Sequence, residues 1–180
     1  MNKPNKKETS NPKVIWLTGL SGSGKSTLAN TLKNQLEAQN KRTYIIDGDI
    51  LRLGLCSDLK FSDADRSENS RRAIELAQIL LTLNFYVVVA LISPFEKDRL
   101  LARKKFKKSD FMEIYLSTPL KICEARDVKR LYIQARSGRI SNMTGINSTY
   151  EIPKNPHLTI DTTNRSISSC INEIITKMDN

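Results

Sequence analysis

Residues that build metal centres and disulfide frameworks are scarce in this sequence. The chain of 180 residues contains one histidine and three cysteines, Cys56, Cys123 and Cys170. An odd number of widely spaced cysteines suits neither a disulfide framework nor a zinc site, and it favours a reducing compartment. Since a chain of this length can form a hydrophobic core without crosslinks, we expect a fold that depends on packing alone.

Long apolar runs are also absent. No stretch approaches the roughly 20 apolar residues that span a membrane. Residues 1–12 contain three lysines and one glutamate but no apolar segment of the kind found in signal peptides. We expect a cytoplasmic protein with no membrane partner, in which residues 1–12 form a disordered basic tail and residues 13–180 form a single domain.

Acidic residues are outnumbered by basic ones. The chain has 29 Lys and Arg residues against 19 Asp and Glu residues, a net charge of +10 that predicts an anionic partner. The excess is concentrated in residues 96–108, with seven basic and two acidic residues, and in residues 126–139, with five basic residues and one acidic residue. A nucleic-acid-binding module is one reading of this charge. No helix-turn-helix, zinc-ligand or RNA-binding signature accompanies it, so we expect no nucleic-acid partner and interpret residues 96–108 as a solvated basic helix.

Short apolar runs alternate with helical patterns along the chain. Candidate strands cover residues 14–18, 43–46, 86–92, 111–116 and 158–160, and helical patterns cover residues 28–36, 68–84, 96–108, a short segment after Pro119 and residues 167–178. Strands that alternate with helices pair in parallel and are covered on both faces. The predicted fold class is therefore α/β, a doubly wound and mainly parallel five-stranded sheet with helices on both faces. Residues 128–156 lack periodicity, and a loop of this length in a compact domain is usually functional.

A glycine-rich segment lies between the first strand and the first helix. Residues 19–26 read Gly-Leu-Ser-Gly-Ser-Gly-Lys-Ser and match the pattern G-x-x-x-x-G-K-[ST]. Glycines let successive backbone N–H groups surround a polyphosphate, and the helix N-terminus adds positive potential. Lys25 would reach the β- and γ-phosphates, and the Ser26 hydroxyl would bind Mg²⁺. The predicted ATP-binding residues of this segment are Gly19, Ser21, Gly22, Ser23, Gly24, Lys25, Ser26 and Thr27.

Two aspartates follow the second strand. Asp47 and Asp49 lie where strand ends face the phosphates of a nucleotide, so they could hold Mg²⁺ and accept a proton from an acceptor hydroxyl. An ordinary Asp-Gly turn is the alternative, and next to the glycine-rich segment we favour the functional interpretation. Arginines and one aromatic residue follow, and they suit an oxyanion and the face of a base. For Arg71 and Arg72 a solvated helix face explains the sequence equally well.

These residues together resemble the motifs of the adenylylsulfate (APS) kinase family. The resemblance is carried by residues 16–27, Asp47-Gly48-Asp49, Phe61-Ser62-Asp63-Ala64-Asp65-Arg66, Ile92-Ser93-Pro94-Phe95, residues 123–127 and Thr144-Gly145-Ile146. It runs from about Lys13 into the last helix. It implies a P-loop kinase fold with a mobile lid at about residues 128–150. It also implies transfer of the ATP γ-phosphate to the 3′-hydroxyl of adenylyl sulfate, with Mg²⁺ as cofactor.

The resemblance further implies roles for individual residues. Lys25, Asp47 and Asp49 would be catalytic, with Asp49 as the acceptor-side base and with Ser26 and Asp47 on the Mg²⁺ side. Arg126 would lie against the ATP adenine, and Phe61 would stack on the adenine of adenylyl sulfate. The full set implied for adenylyl sulfate is Arg52, Phe61, Arg66, Asn69, Ile92, Ser93, Lys129, Leu131 and Met143. We interpret Ser93 as a substrate contact, because direct transfer to the ribose needs no covalent enzyme.

A few positions depart from the family pattern. Arg130 stands where the lid motif usually has glycine, Met143 where phenylalanine is usual and Asn147 where aspartate is common. A methionine still packs on the face of a base, so we expect weaker affinity rather than lost activity. Another small-molecule P-loop kinase and a catalytically weakened nucleotide-binding regulator stay as alternatives, and a homodimer is left open.

Overall fold

The computed structural model describes residues 13–179, so the predicted tail lies outside the described residues. The strands are β1 (Val14–Thr18), β2 (Thr43–Asp47), β3 (Tyr86–Ala90), β4 (Phe111–Leu116) and β5 (Leu158–Ile160). The helices are α1 (Lys25–Ala38), α2 (Gly48–Leu53), α3 (Asp63–Thr82), α4 (Glu96–Lys105), α5 (Leu120–Arg126), α6 (Leu131–Arg136) and α7 (Ile167–Asp179), with a 3₁₀ turn at Lys108–Asp110.

All five strands form one parallel sheet in the order β2-β3-β1-β4-β5. Because successive side chains of a strand point to opposite faces, β1 contributes to two hydrophobic cores. Ile15 and Leu17 pack with α1 and α7 on one face, and Val14 and Trp16 pack with residues of α3 and α4 on the other. The predicted α/β fold with a doubly wound parallel sheet is confirmed.

The boundaries differ from the predicted ones where short-range capping decides them. The segment after β2, for which no helix is predicted, forms α2, because the Asp47 carboxylate accepts a hydrogen bond of 2.8 Å from the Asp49 N–H. Similarly, α3 begins at Asp63, ahead of the predicted start, since the Ser62 hydroxyl accepts from the Asp65 N–H. The third strand ends at Ala90 rather than at residue 92.

The basic segment differs from the expected solvated helix. Arg99 of α4 is 2% exposed, and its guanidinium forms an ion pair with Glu113 of β4 at 3.4 Å. Arg103 also contacts Glu113, at 2.6 Å, and Lys105 contacts Glu75 of α3 at 2.8 Å. The interpretation as a solvated face is therefore wrong for Arg99, which is buried, and Arg103 is partly buried, whereas Lys105 is exposed as expected. Their acidic partners lie on other elements, so the local charge of the sequence does not show them.

The long segment between α5 and β5 is not wholly irregular. It contains the six-residue helix α6, whose first N–H groups are capped by the Asp127 carboxylate at 3.1 and 3.0 Å. None of the helices within residues 13–179 is both long and apolar enough to cross a membrane.

Candidate active site

A cavity of about 1120 Å³ opens at the carboxyl ends of β1, β2 and β3. Its wall is formed by the glycine-rich segment, α2, the start of α3, the residues after β3, and parts of the segment from residue 126 to residue 143. The sequence-predicted site residues that line it are Ser21, Gly22, Gly24, Lys25, Ser26, Thr27, Asp47, Asp49, Arg52, Phe61, Arg66, Asn69, Ile92, Ser93, Arg126, Lys129, Leu131 and Met143. Only Gly19 and Ser23 of the predicted set do not line this cavity.

The glycine-rich segment folds into a phosphate-binding loop that begins directly after β1. Gly22 has a φ of +77°, and a Cβ there would lie 2.9 Å from the Cys123 carbonyl oxygen, so only glycine fits. Lys25 is 8% exposed, and its ammonium donates to the carbonyls of Gly19 and Leu20 at 2.9 and 2.7 Å. Burial lowers the pKa of Lys25 to about 8, although Cys123 and Asp47 partly oppose this shift.

Ser26 and Asp47 form the cation side of the cavity. The Ser26 hydroxyl donates to Asp47 Oδ2 at 2.7 Å, and Asp47 Oδ1 accepts from the Asp49 N–H. No cluster of three or more His, Cys, Asp or Glu side chains within residues 13–179 could hold a metal by itself. Mg²⁺ is usually held by one or two carboxylates together with substrate phosphates and water. One hydroxyl and one carboxylate beside a phosphate-binding loop fit that ion.

Asp49 reaches across the cavity. Its carboxylate forms an ion pair with the Lys129 ammonium, and both side chains are more than half exposed. Asp49 comes from α2, whereas Lys129 precedes α6. The pair therefore joins α2, at the carboxyl end of β2, to the segment predicted as a lid.

The far side of the cavity combines one aromatic ring with two arginines. The Phe61 ring is 51% exposed, and the guanidinium carbons of Arg52 and Arg66 lie 4.5 and 5.6 Å from its centroid. Arg66 is buried and donates to the Asn142 carbonyl at 2.6 Å, and burial lowers its pKa. Asn69 is 6% exposed, and its Oδ1 has no hydrogen-bond partner among the described residues. A buried amide oxygen without a partner suits a ligand that donates a hydrogen bond.

Ser93 follows β3 in an unusual backbone conformation. Its φ is +45°, and it is 3% exposed. The Trp16 indole donates to its Oγ at 3.0 Å, while Arg99 donates to its carbonyl at 2.7 Å. The Ile92-Ser93-Pro94 turn is thus held from both sides as it borders the cavity.

The segment from Asp127 to Met143 closes one side of the cavity with a small core of its own. Tyr132 and Met143 are buried together with Cys123, and the Tyr132 hydroxyl donates to the Ser21 carbonyl at 2.8 Å. Burial raises the pKa of Tyr132, which keeps the hydroxyl protonated as a donor. Tyr132 therefore ties this segment to the phosphate-binding loop.

Arg126 borders the phosphate-binding loop rather than standing free in the cavity. It donates to the Gly22 carbonyl at 3.2 Å and to the hydroxyl and carbonyl of Thr162 at 2.9 Å each. The sequence predicts no role for Thr162 or Tyr132. Neither residue belongs to a periodic pattern. The only feature of the sequence that indicates a role for Tyr132 is its position next to the predicted site residue Leu131.

This geometry can be compared with that of known proteins. The family model described as Adenylylsulphate kinase matches residues 11–161. The chain belongs to the adenylylsulfate kinase family. An adenylyl-sulfate kinase of Prochlorococcus marinus is 53% identical over 92% of this chain and 82% of its own length. One of Pseudomonas aeruginosa is 51% identical over 93% of this chain and 86% of its own length.

Solved structures agree with this assignment. The APS kinase of Mycobacterium tuberculosis, in complex with AMPPNP and APS, has a TM-score of 0.90 and 44% identity, over 94% of this chain and 99% of that one. The predicted family, the P-loop kinase fold and the predicted function of an adenylylsulfate kinase are confirmed. The alternatives of another small-molecule P-loop kinase and of a nucleic-acid-binding module are set aside.

Proposed function

We propose that this adenylylsulfate kinase transfers the γ-phosphate of ATP to the ribose 3′-hydroxyl of adenylyl sulfate, which yields 3′-phosphoadenylyl sulfate and ADP. The observation that carries this proposal is a single cavity that joins the phosphate-binding loop to Phe61, Arg66 and Asn69. The mycobacterial relative, solved with AMPPNP and APS, supports it.

The phosphate-binding loop would hold ATP. Backbone N–H groups of residues 21–27 and the Lys25 ammonium surround the phosphates, with Ser26 and Asp47 as ligands on the Mg²⁺ side. Bound Mg²⁺ would neutralise charge on the β- and γ-phosphates. Arg126, which already contacts the loop at Gly22, would border the ATP adenine.

Adenylyl sulfate would occupy the other half of the cavity. Phe61 offers an exposed ring face for its adenine, and Arg52 and Arg66 beside that ring would bind phosphosulfate oxygens. The unpartnered Oδ1 of Asn69 would accept a hydrogen bond from a ribose hydroxyl. The backbone at Ile92 and Ser93 would complete this side.

Asp49 would act as the acceptor-side base. As the 3′-oxygen forms its bond to the γ-phosphorus, the bond between that phosphorus and the β–γ bridging oxygen breaks, and the 3′-hydroxyl proton passes to the Asp49 carboxylate. Lys129, paired with Asp49, would orient this carboxylate. Ser93 would serve as a substrate contact and would not carry phosphate.

Residues 128–150 would form a lid over both substrates. Lys129, Leu131 and Met143 line the cavity from this segment, and the Tyr132 hydroxyl holds it to the loop at Ser21. Closure would exclude water, which would otherwise accept the γ-phosphate.

We also propose a cytoplasmic location, because Cys56, Cys123 and Cys170 are all free and buried and suit a reducing compartment. The homodimer stays a prediction.

A substrate panel tests the proposed reaction. The purified protein is incubated with ATP, Mg²⁺ and one acceptor: adenylyl sulfate, adenosine 5′-phosphate or a simple sugar alcohol. We expect ADP and 3′-phosphoadenylyl sulfate with the first acceptor, and no comparable turnover with the other two. Turnover on the sugar alcohol without any on adenylyl sulfate would overturn the proposal.

A further inference from the structure

A buried ion pair lies behind the proposed substrate turn, outside the cavity. Arg99 of α4 and Glu113 of β4 are 2% and 3% exposed. Glu113 is paired in register with Trp16 of β1, so the side chains of Glu113 and Trp16 are on the same sheet face, which α4 covers. Burying charges is unfavourable unless they are paired and fully hydrogen-bonded, and replacing such a pair with apolar residues is often neutral for stability. The pair thus calls for an explanation other than stability.

Arg99 binds two backbone carbonyls besides Glu113. One guanidinium N–H donates to the Ser93 carbonyl at 2.7 Å, and another donates to the Glu151 carbonyl at 2.6 Å. The third contact is the Glu113 carboxylate at 3.4 Å. A planar guanidinium presents donors in several fixed directions, which the single ammonium of lysine cannot reproduce. Arg99 therefore fixes two chain segments relative to one strand.

The first segment is the strained turn at Ser93. A non-glycine residue at a positive φ is strained and persists only where its surroundings hold it. The residue that follows is Pro94, which further restricts the backbone of Ser93. Trp16 holds the Ser93 hydroxyl, and Arg99 holds its carbonyl. The Thr18 hydroxyl also donates to this carbonyl, at 3.4 Å, so without Arg99 the shorter of the two hydrogen bonds to it is lost.

The second segment is the carboxyl end of the lid, at Tyr150, with Glu151 directly after it. The Glu151 N–H donates to the Pro94 carbonyl at 2.8 Å, and the Glu151 carboxylate accepts from the Glu96 N–H at the start of α4. The hydroxyls of Tyr150 and Thr18 share a hydrogen bond of 2.9 Å. The lid thus ends on the same turn that borders the acceptor half of the cavity.

We propose that Arg99, oriented by Glu113, is a positioning residue that holds the Ser93 turn and the carboxyl end of the lid in register. Its two backbone hydrogen bonds go to Ser93 and Glu151, on the acceptor half of the cavity, and not to the phosphate-binding loop. This inference rests on the proposed function, because the acceptor is taken to be adenylyl sulfate. Arg99 does not line the cavity, so its effect is exerted through the backbone of Ser93 and Glu151.

The test compares Arg99→Met, Arg99→Lys and Glu113→Gln with a matched control, Arg103→Gln. Arg103 also contacts Glu113, but its second partner is the Asn155 carbonyl and not the substrate turn. For Arg99→Met we expect the KM for adenylyl sulfate to rise about tenfold or more, as for loss of hydrogen bonds from a charged group, with the KM for ATP within about twofold. Arg99→Lys and Glu113→Gln should fall between that variant and the unchanged protein, and Arg103→Gln should alter neither KM.

A purely structural role would give a different pattern. Equal changes in both KM values, or a lower melting temperature with the two KM values unchanged, would overturn the proposal. If Arg99→Met does not fold, the same criteria apply to Arg99→Lys and Glu113→Gln.

A second readout separates this inference from the proposed function. Trypsin cleavage within residues 128–150 of the nucleotide-free protein should be several times faster in Arg99→Met than in Arg103→Gln. Faster cleavage with no wild-type turnover of adenylyl sulfate would refute the proposed function and leave the positioning role standing. Equal cleavage rates in the two variants would refute the positioning role.

Discussion

The Ser26 hydroxyl donates a hydrogen bond of 2.7 Å to the Asp47 carboxylate. Ser26 lies in the first turn of α1, which follows β1, and Asp47 lies at the end of β2. In the sheet, β3 separates β2 from β1. This contact brings the phosphate-binding loop and the acidic segment into one site. It is also the place where the residues present fit Mg²⁺.

Removing the Ser26 hydroxyl tests that cation site. We expect Ser26→Ala to weaken the apparent affinity for Mg²⁺ at least about tenfold, since the second member of the ligand pair is lost. The measurement is a Mg²⁺ titration of initial rates at saturating ATP. Ser109→Ala is a matched control, because Ser109 also donates to an aspartate, Asp110, but directly before β4, at the amino ends of the strands and away from the site. An equal effect in both variants would contradict the assignment.

The buried Lys25 ammonium should make stability depend on pH. The pKa of Lys25 is lowered from 10.5 to about 8, so between these values the unfolded chain binds more protons than the folded one. The free energy of unfolding should therefore rise with pH, by roughly 2 kcal/mol from pH 8 to pH 10, relative to Lys25→Met. Urea unfolding of the two proteins without nucleotide measures this difference. The same dependence of the free energy of unfolding on pH in both proteins would contradict this expectation.

Arg130 should be under backbone strain. Its φ is +55° and its ψ is +25°, the left-handed conformation that favours glycine. We expect Arg130→Gly to raise the melting temperature by about 2 °C, because relief of strain exceeds the added freedom of the unfolded chain. Asn142→Gly is the control, because Asn142 has a φ of +62° but asparagine tolerates that region. A melting temperature lowered by Arg130→Gly would contradict this expectation.

The resemblance to the family implies phenylalanine at the position of Met143. Its side chain lines the cavity and packs against Tyr132 in the small core of the lid. We expect Met143→Phe to lower the KM for adenylyl sulfate by roughly threefold to tenfold, because an aromatic ring stacks on adenine more strongly than a thioether does. Steady-state kinetics with Met143→Leu as the control checks this. A raised KM would show that the larger ring does not fit.

Much of the fold could be predicted because its signals are local. The apolar run at Val14–Thr18, the glycine-rich segment and Lys25 are adjacent in sequence, and adjacency alone defines a strand, a phosphate-binding loop and a helix. Asp47 and Asp49 could be placed for the same reason. The short helix α2 could not, because its start depends on one capping hydrogen bond.

The remainder depends on partners that are distant in sequence. Arg99 reads as one charge in a basic stretch, and only the pairing of β4 with β1 brings Glu113 beneath it. Likewise, nothing near Tyr132 indicates that its hydroxyl will reach Ser21, 111 residues away. A sequence without its sheet order gives no means of finding such contacts.

Replacement of Asp49 tests the central claim most directly. Single-turnover rates of 3′-phosphoadenylyl sulfate formation are measured at saturating ATP, Mg²⁺ and adenylyl sulfate for Asp49→Asn and for the distant control Asp110→Asn. We predict a loss of about a hundredfold or more for Asp49→Asn, the usual contribution of a general base, and none for Asp110→Asn. An undiminished rate in Asp49→Asn would contradict the assignment of Asp49 as the base.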